Sequence, residues 1–485
     1  MIMPCTTILA GKKATYDGST FMARNEDSGS GSFTEKKFIV VNPEDQPVTY
    51  QSVISRVTIE LPSDPMRYTA MPNALPDEGI WGEAGINEAN VAMTETETIT
   101  TNPRVMGADP LVPEGIGEED FLTIVLPYIH SAREGVLRLG KLLEVFGTYE
   151  MNGIGFQDVN EVWWMETIGG HHWIAKRVPD DRYVVMPNQQ GIDDFDLEDA
   201  FGEKKDHLCS EDLISFIEDN HLDLSMKAGK HLDVRAAFGS RDDSDHTYNT
   251  PRAWIILRHL NPSMPWDSGD PAFGPESDRL PWSLVPERKL TVEDVKYVLS
   301  SHFQGTEFDP YGKKFARPGE RGPYRPIGIN RNNFIHLTQL RPYVPREIMG
   351  IEWISMGSNT FNAFAPFYNN ITRTPEYLAN TGAEVSTDSF YWANRLIGAL
   401  ADAHYTRCSS HIERYQNAVA YAGQRFLKET DRAFMDEKPE DVQGFLEEAN
   451  QRMSDDLQKK TGDVLSKVLY EASMQMKNGF ARSDA

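Results

Sequence analysis

Strand-like segments crowd the beginning and the middle of the chain and helical ones its end. This order excludes the regular strand–helix alternation from which a doubly wound parallel sheet is built. The first strands are read in TTILA (6–10), TFMARNED (20–27) and KKFIVV (36–41), with the turn-forming YDGS (16–19) between the first two. Between Gln51 and Thr100, VISRVTIELP and ANVAMTETETIT mix alternating and continuous apolar positions around GEAGINEAN. From Gly153 to Asn188, GIGFQDVN, EVWWMETIGG, HHWIAKRVPDD and RYVVMPNQ form aromatic and β-branched runs separated by turns, the signature of an antiparallel sheet.

Helical spacing is found between Glu118 and Phe146, where Pro127 divides the pattern into two helices. It returns after about Ser386. There Asp388 is the expected N-cap for a stripe of Trp392, Leu396, Ile397 and Leu400, and Val442, Leu446, Ala449, Met453 and Leu457 follow Pro439 in a similar stripe. These late helices are expected to cover a sheet or each other, and they also offer a face for a homo-oligomer. Residues 309–331, DPYGKKFARPGERGPYRPIGINR, form a basic Gly/Pro-rich loop without a period. IMGIEWISMG reads as a strand, and FNAFAPFYNN after it as an irregular aromatic stretch.

Of 485 residues, 48 are Lys or Arg and 73 are Asp or Glu, and the resulting net charge of -25 repels nucleic acid and anionic lipid alike. No stretch approaches the ~20 apolar residues of a membrane helix, and the start of the chain lacks the pattern of an export signal, so a soluble protein of the cytoplasm is expected. Cys5, Cys209 and Cys408 are widely scattered, which suits a reducing compartment and suggests neither a disulfide framework nor a zinc ribbon. HExxH, GxSxG, GxGxxG in a suitable context and the P-loop are all missing, and His171 and His172 would point to opposite faces of a strand. Neither a metal nor a cofactor is expected.

Chemistry concentrates instead at the start. Cys5 directly precedes the strand TTILA, and the YDGS turn can fold Arg24-Asn25-Glu26-Asp27 back beside it. On a strand, Arg24 and Glu26 share one face and Asn25 and Asp27 the other, so a bulge or strand end is needed for Arg24 and Asp27 to converge.

The opening Cys-Thr-Thr, the DGS turn and Ala-Arg-Asn-Glu-Asp resemble the N-terminal signature of the cysteine dipeptidase family, the dipeptidase A type with its secernin relatives. Gly85-Ile86-Asn87-Glu88, EVWWMETIGGHHW, VVMPNQ and YNTPRAW continue the resemblance along much of the chain. The family is similar to bile salt hydrolases and penicillin V acylases, which implies an N-terminal-nucleophile hydrolase: an α+β protein built as a four-layer αββα sandwich of two antiparallel sheets. The expected organisation is a propeptide at 1–4, a catalytic core with insertions at 5–385, and a helical region at 386–485 packed on that core.

The resemblance implies hydrolysis of short peptides, with dipeptides first, through a thioester on Cys5. A thiol with a pKa near ~8.5 needs a local base or a positive field. Cleavage between Pro4 and Cys5 would free an α-amine on the nucleophile's own residue, a group that ordinarily titrates at ~7.7 to 8.0, so that no histidine is required. By the same resemblance Asp27 would hold the Cys5 amine or thiol, Arg24 would favour the thiolate and position Asp27, and Asn188 would donate to the oxyanion. Arg252 aligns with an active-site arginine of the acylases and equally suits an ion pair. A dipeptide's ammonium asks for acids, for which Glu95 and Glu97 are candidates. Its carboxylate asks for bases, for which Arg317, Arg321 and Arg325 are candidates. Two alternatives stay open: a non-peptide amide substrate of the acylase kind, and a non-catalytic secernin-like role.

Overall fold

The computed structural model describes residues 5–29, 31–75, 79–226, 231–312 and 322–477, together with the backbone but not the side chains of 96–98. The expected propeptide and Arg317 and Arg321 lie outside the described residues, as does the side chain of Glu97. The protein is an α+β structure with two large antiparallel sheets and long helices near its C-terminus.

Thirteen strands build those sheets: β1 (Thr6–Ala10), β2 (Thr20–Asp27), β3 (Ala84–Ile86), β4 (Ala92–Thr98), β5 (Asn152–Gln157), β6 (Val162–Thr167), β7 (Trp173–Arg177), β8 (Tyr183–Met186), β9 (His207–Cys209), β10 (Ser283–Leu284), β11 (Asn332–Leu340), β12 (Gly350–Met356) and β13 (Ala365–Tyr368). Among the described residues they run β10-β8-β1-β2-β11-β12-β13 in one sheet and β9-β7-β6-β5-β4-β3 in the other. The expected pairing of the first two strands is present: Thr7 stands opposite Arg24 and Leu9 opposite Met22.

Strand alternation then sorts the side chains. Leu9 and Met22 share a core with Val162 and Trp164 of the second sheet, and Gly155 is small because a Cβ there would lie 2.7 Å from Met22 Sδ. Ile8, Ala10, Phe21 and Ala23 point the other way, into a core with Trp254 and Ile256 of helix α3 (Thr250–Leu260) and Val295 and Leu299 of α4 (Val292–Leu299). The outer face of the second sheet, with Met93, Ile154, Phe156 and Trp163, packs on α1 (Glu118–Val125) and α2 (Ala132–Phe146). Pro127 indeed separates those two helices, in a single 3-10 turn. Gly140 lets α2 approach, since a Cβ would sit 2.3 Å from the Trp173 ring.

Three helices follow: α5 (Phe390–Asp402), α6 (Tyr405–Glu437) and α7 (Val442–Met474). They share a core with Phe334, Ile354 and Phe367 of the first sheet. Ser389 rather than Asp388 caps α5, accepting from Trp392 N, and Asp441 caps α7. The stretch FNAFAPFYNN is less irregular than its composition suggests, because it contains β13, whose Pro366 is tolerated on an outermost strand. Among the described residues no helix is long and apolar enough to cross a membrane.

Candidate active site

Cys5 is fully buried one step before β1, on the same face as Thr7 and Leu9. Arg24 shares that face and donates from Nη2 to Cys5 Sγ at 2.7 Å. A guanidinium without solvent must be compensated, and Arg24 is: Nη1 meets Glu83 Oε2 at 2.7 Å and Nη2 meets Glu118 Oε1 at 3.4 Å. It also donates to the carbonyl of Glu95. Glu83 continues the chain of charges through Oε1 to Lys36 Nζ at 3.2 Å, and Lys36 reaches Glu26 Oε2 at 2.9 Å.

Burial opposes the charge of Arg24, but Cys5, Glu83, Glu118 and Glu26 outweigh it and hold its pKa well above the usual value. Lys36 follows the same logic, with burial overcome by Glu26 and Glu83. Burial, then repulsion from Glu83, push Glu26 up to about 7 against the pull of Lys36 and Arg24. Glu83 enters this cluster from a strained approach: Trp81 and Glu83 have φ of 49° and 69°, a region that residues with side chains seldom occupy.

A second knot forms around Arg252 on α3. Its guanidinium donates to the carbonyl of Cys5, to Thr6 Oγ1 at 2.8 Å, to Asn188 Oδ1 at 2.6 Å and to Asn249 Oδ1 at 2.7 Å. The π-helical turn Asp245–Asn249 leads into α3 and brings Asn249 within reach, and Asn249 Nδ2 in turn donates to Asn188 O at 3.1 Å. Asn188 is thereby held at both its side-chain oxygen and its backbone. The segment after it is tied down by buried Glu166, whose Oε1 accepts from Gly191 N at 2.7 Å, Ile192 N at 3.2 Å and Trp164 Nε1 at 3.0 Å.

Asp27 ends β2 and is also fully buried. Its Oδ1 accepts from Asn25 Nδ2 at 2.8 Å and from Asn332 Nδ2, and its Oδ2 from Arg325 Nη2. The irregularity expected near this point lies in the neighbouring strand: the register of β11 against β2 shifts between Asn332 and Phe334. Asn333, the extra residue, donates to Glu26 Oε1 at 3.1 Å and Ser28 Oγ at 2.8 Å. Arg24 and Asp27 make no hydrogen bond to each other among the described residues; each is held by its own partners.

The structure therefore gathers Cys5, Arg24, Asn188 and Arg252 through direct contacts and places Asp27 at the end of the same strand pair. Arg325 meets Asp27. Glu95 is fully buried, its pKa pushed well up by burial and then by Glu83, against the pull of Arg24 and then of the backbone at Leu122 and Glu83. Neither carboxyl oxygen makes a well-formed hydrogen bond. The register of β4 against β5 slips between Thr96 and Thr98. Glu83, Lys36, Glu118, Asn332 and Asn333 are among the residues of the site that the sequence does not pick out. Nothing local distinguishes them; only the pairing of distant segments brings them to the cluster around Arg24 and Asp27.

Residues 4–418 match the family model for peptidase family C69. The chain belongs to that family. It is 53% identical to a dipeptidase of Bifidobacterium longum, over 99% of this chain and 100% of that protein. The identity is also 53% to a probable dipeptidase A of Streptococcus pyogenes, over 99% and 100%, and 43% to dipeptidase A of Lactobacillus helveticus, over 96% and 96%. In this C69 peptidase the stretch matched by the family model contains Cys5, both arginine knots and Asp27. The rest of α6 and all of α7 lie beyond it, within the 99% of the chain shared with the Bifidobacterium longum and Streptococcus pyogenes relatives.

Proposed function

We propose that this C69 peptidase hydrolyses dipeptides with Cys5 as its nucleophile. The observation that carries the reading is the guanidinium of Arg24 at 2.7 Å from Cys5 Sγ in a site closed to solvent. A fixed positive charge there favours thiolate over thiol, and burial leaves that preference unscreened by water.

Once the bond between Pro4 and Cys5 is cut, the α-amine takes the thiol proton and the sulfur attacks the substrate carbonyl carbon. Charge develops on the carbonyl oxygen, and Asn188, whose Oδ1 accepts from Arg252 Nη2 at 2.6 Å, meets it with its amide N–H. The leaving amine takes the proton back from the α-ammonium as the C–N bond breaks, leaving a thioester. Water then attacks the thioester with the α-amine as base, and the carboxylic acid leaves as the thiolate re-forms. Asp27 holds the amine in place.

The substrate's ammonium falls to Glu95 and Glu97. Burial and Glu83 favour the protonated form of Glu95, and an arriving ammonium would reverse that. Arg317 and Arg321 would meet the carboxylate. We further read the three cores around the two sheets as an αββα sandwich of residues 5–385, with 386–485 a helical addition, and place the enzyme in the cytoplasm.

The test combines mass and turnover. Burial pushes the thiol of Cys209 up to about 12 and also raises that of Cys408, so a thiol reagent near neutral pH should mark Cys5 first. Intact mass should show a chain starting at Cys5, and labelling should abolish cleavage of free dipeptides but leave the fold unchanged. Full turnover with Pro4 attached, or with Cys5→Ala, would sink the reading. N-blocked dipeptides and glycine conjugates in the same panel separate an exopeptidase from an acylase.

A further inference from the structure

We propose that Arg325 is a positioning residue for Asp27 and takes no part in receiving the substrate's carboxylate. This inference rests on the mechanism proposed above and assigns one of its supports.

Arg325 is held tightly by the body of the protein. Its side chain is 3% exposed, and its Nη2 lies on Asp27 Oδ2. The segment around it is built into the body of the protein. Arg325 N donates to Thr247 O at 3.2 Å, in the turn that precedes α3 and Arg252. Ile327 is fully buried in the core beneath the first sheet. Gly328 N donates to Ser301 O at 2.8 Å. A carboxylate receptor should stand open to the substrate, whereas this guanidinium is buried and its Nη2 already lies on a carboxylate of the protein.

Asn332 completes the grip. Its Nδ2 donates to Asp27 Oδ1 and to Ile327 O at 3.0 Å, and its Oδ1 accepts from Ile329 N at 2.7 Å and Asn359 N at 3.2 Å. The asparagine cannot turn without breaking contacts on both sides. Asp27 is thus held on one oxygen by Arg325 and on the other by Asn25 and Asn332, at the end of β2. Extending the register of β1 and β2 one step sets Cys5 opposite Glu26, so Asp27 stands just past Cys5, where the freed amine would emerge. Orientation of that carboxylate is orientation of the base.

The experiment compares wild type with Arg325→Ala, Arg325→Lys and Asn332→Leu in the full chain, with intact mass and circular dichroism in parallel. The substrates are a free dipeptide and the same dipeptide as its C-terminal amide, across a pH series. Displacing a catalytic group by about 1 Å costs roughly 100-fold. The expected result is a loss of kcat of that order for Arg325→Ala and Asn332→Leu, a KM nearly unchanged, a shifted pH profile, and partial recovery in Arg325→Lys. Preference for the free acid over the amide should stay as in wild type. Retention of residues 1–4 in the variants counts the same way, because a carboxylate receptor has no part in that cleavage. The proposal is overturned if Arg325→Ala keeps kcat and raises KM while losing preference for the free acid, or if a folded Asn332→Leu behaves as wild type. Failure of the wild type itself to cleave dipeptides would instead remove the functional reading.

Discussion

In the proposed mechanism Asn188 gives its amide N–H to the oxyanion while Arg252 Nη2 holds its Oδ1 at 2.6 Å. Removing one such donor typically costs ~2.7 to 4 kcal/mol in the transition state, which is roughly 100- to 1000-fold in rate. Asn188→Ala should therefore lower kcat by that factor with little change in KM, as steady-state kinetics would read directly; a KM effect alone would move Asn188 to ground-state binding. Arg24 acts before substrate arrives. Arg24→Gln removes the cation beside Sγ and leaves the negative charge of Glu83 and Glu118 without that guanidinium, so the thiolate should become harder to form. The rate of alkylation of Cys5 by iodoacetamide at neutral pH should fall at least ~10-fold, with the midpoint of its pH profile displaced upward.

Helix α1 starts with three consecutive buried acids, and their cost should be visible in the pH dependence of stability. Asp120 closes the N-terminus by accepting from Gly117 N at 2.8 Å and also accepts from Tyr50 Oη at 2.6 Å, yet burial pushes it up to about 7. A carboxyl whose folded pKa is raised binds its proton more tightly in the folded state. Its stabilising contribution is complete below the unfolded value of 3.8 and is lost as pH rises through about 7. Glu26 contributes with the same sign between 4.5 and about 7. Stability should fall between pH 5 and pH 8, by on the order of a few kcal/mol for these two groups together, the thermal midpoint should fall with it, and Asp120→Asn should flatten part of that slope. Elements like α1, with strong local periodicity and a proline at their boundary, are legible in the sequence, as are the hairpins around Trp163 and the pairing of β1 with β2. By contrast, β11 is not among the segments the sequence marks, because it follows the aperiodic basic loop directly and its function depends on which strands it separates. Helix α6 is diluted too: its buried stripe from Cys408 through Ile412, Tyr415 and Val419 to Leu427 and Phe434 is set among many charged and polar residues over a long helix. The site divides the same way. Cys5, Arg24, Asp27, Asn188 and Arg252 can be named from motif blocks. Glu83 and Asn332 come to the site only through long-range pairing, and Arg325 looks from composition like one more base in a loop.

On the scale of the whole molecule, the late helices reach the site at Asn332, whose carbonyl accepts from Arg395 Nη1 of α5 at 3.2 Å, and they also brace the sheet on its far side. β13 is an outermost strand, and its backbone is closed off by a side chain: Asn450 of α7 donates from Nδ2 to Tyr368 O at 2.9 Å and accepts from Tyr368 N at 2.9 Å. Covering an edge in this way removes a template for unwanted strand pairing. Helix α6 adds an electrostatic tie. Asp431 accepts from Arg341 at 2.6 and 3.0 Å and from Tyr368 Oη at 2.7 Å. Arg341 immediately follows β11, the strand that carries Asn332 and Asn333 at its other end. The sheet that presents Cys5 is thus clamped from its far side. Asp431→Ala would leave a guanidinium that is 2% exposed without its carboxylate, and breaking a buried pair from one side costs about 3 to 5 kcal/mol. The thermal midpoint should drop by several degrees, whereas kcat measured well below it should stay within about twofold of wild type, since no contact to Cys5, Asp27 or Asn188 is altered. Replacing both partners, with Arg341→Met added to Asp431→Leu, should restore much of the lost stability, because a matched apolar pair carries no desolvation cost. If kcat fell in the single variant at low temperature as well, the helices would be coupled to the site through β11, and their role would extend from scaffold to catalysis.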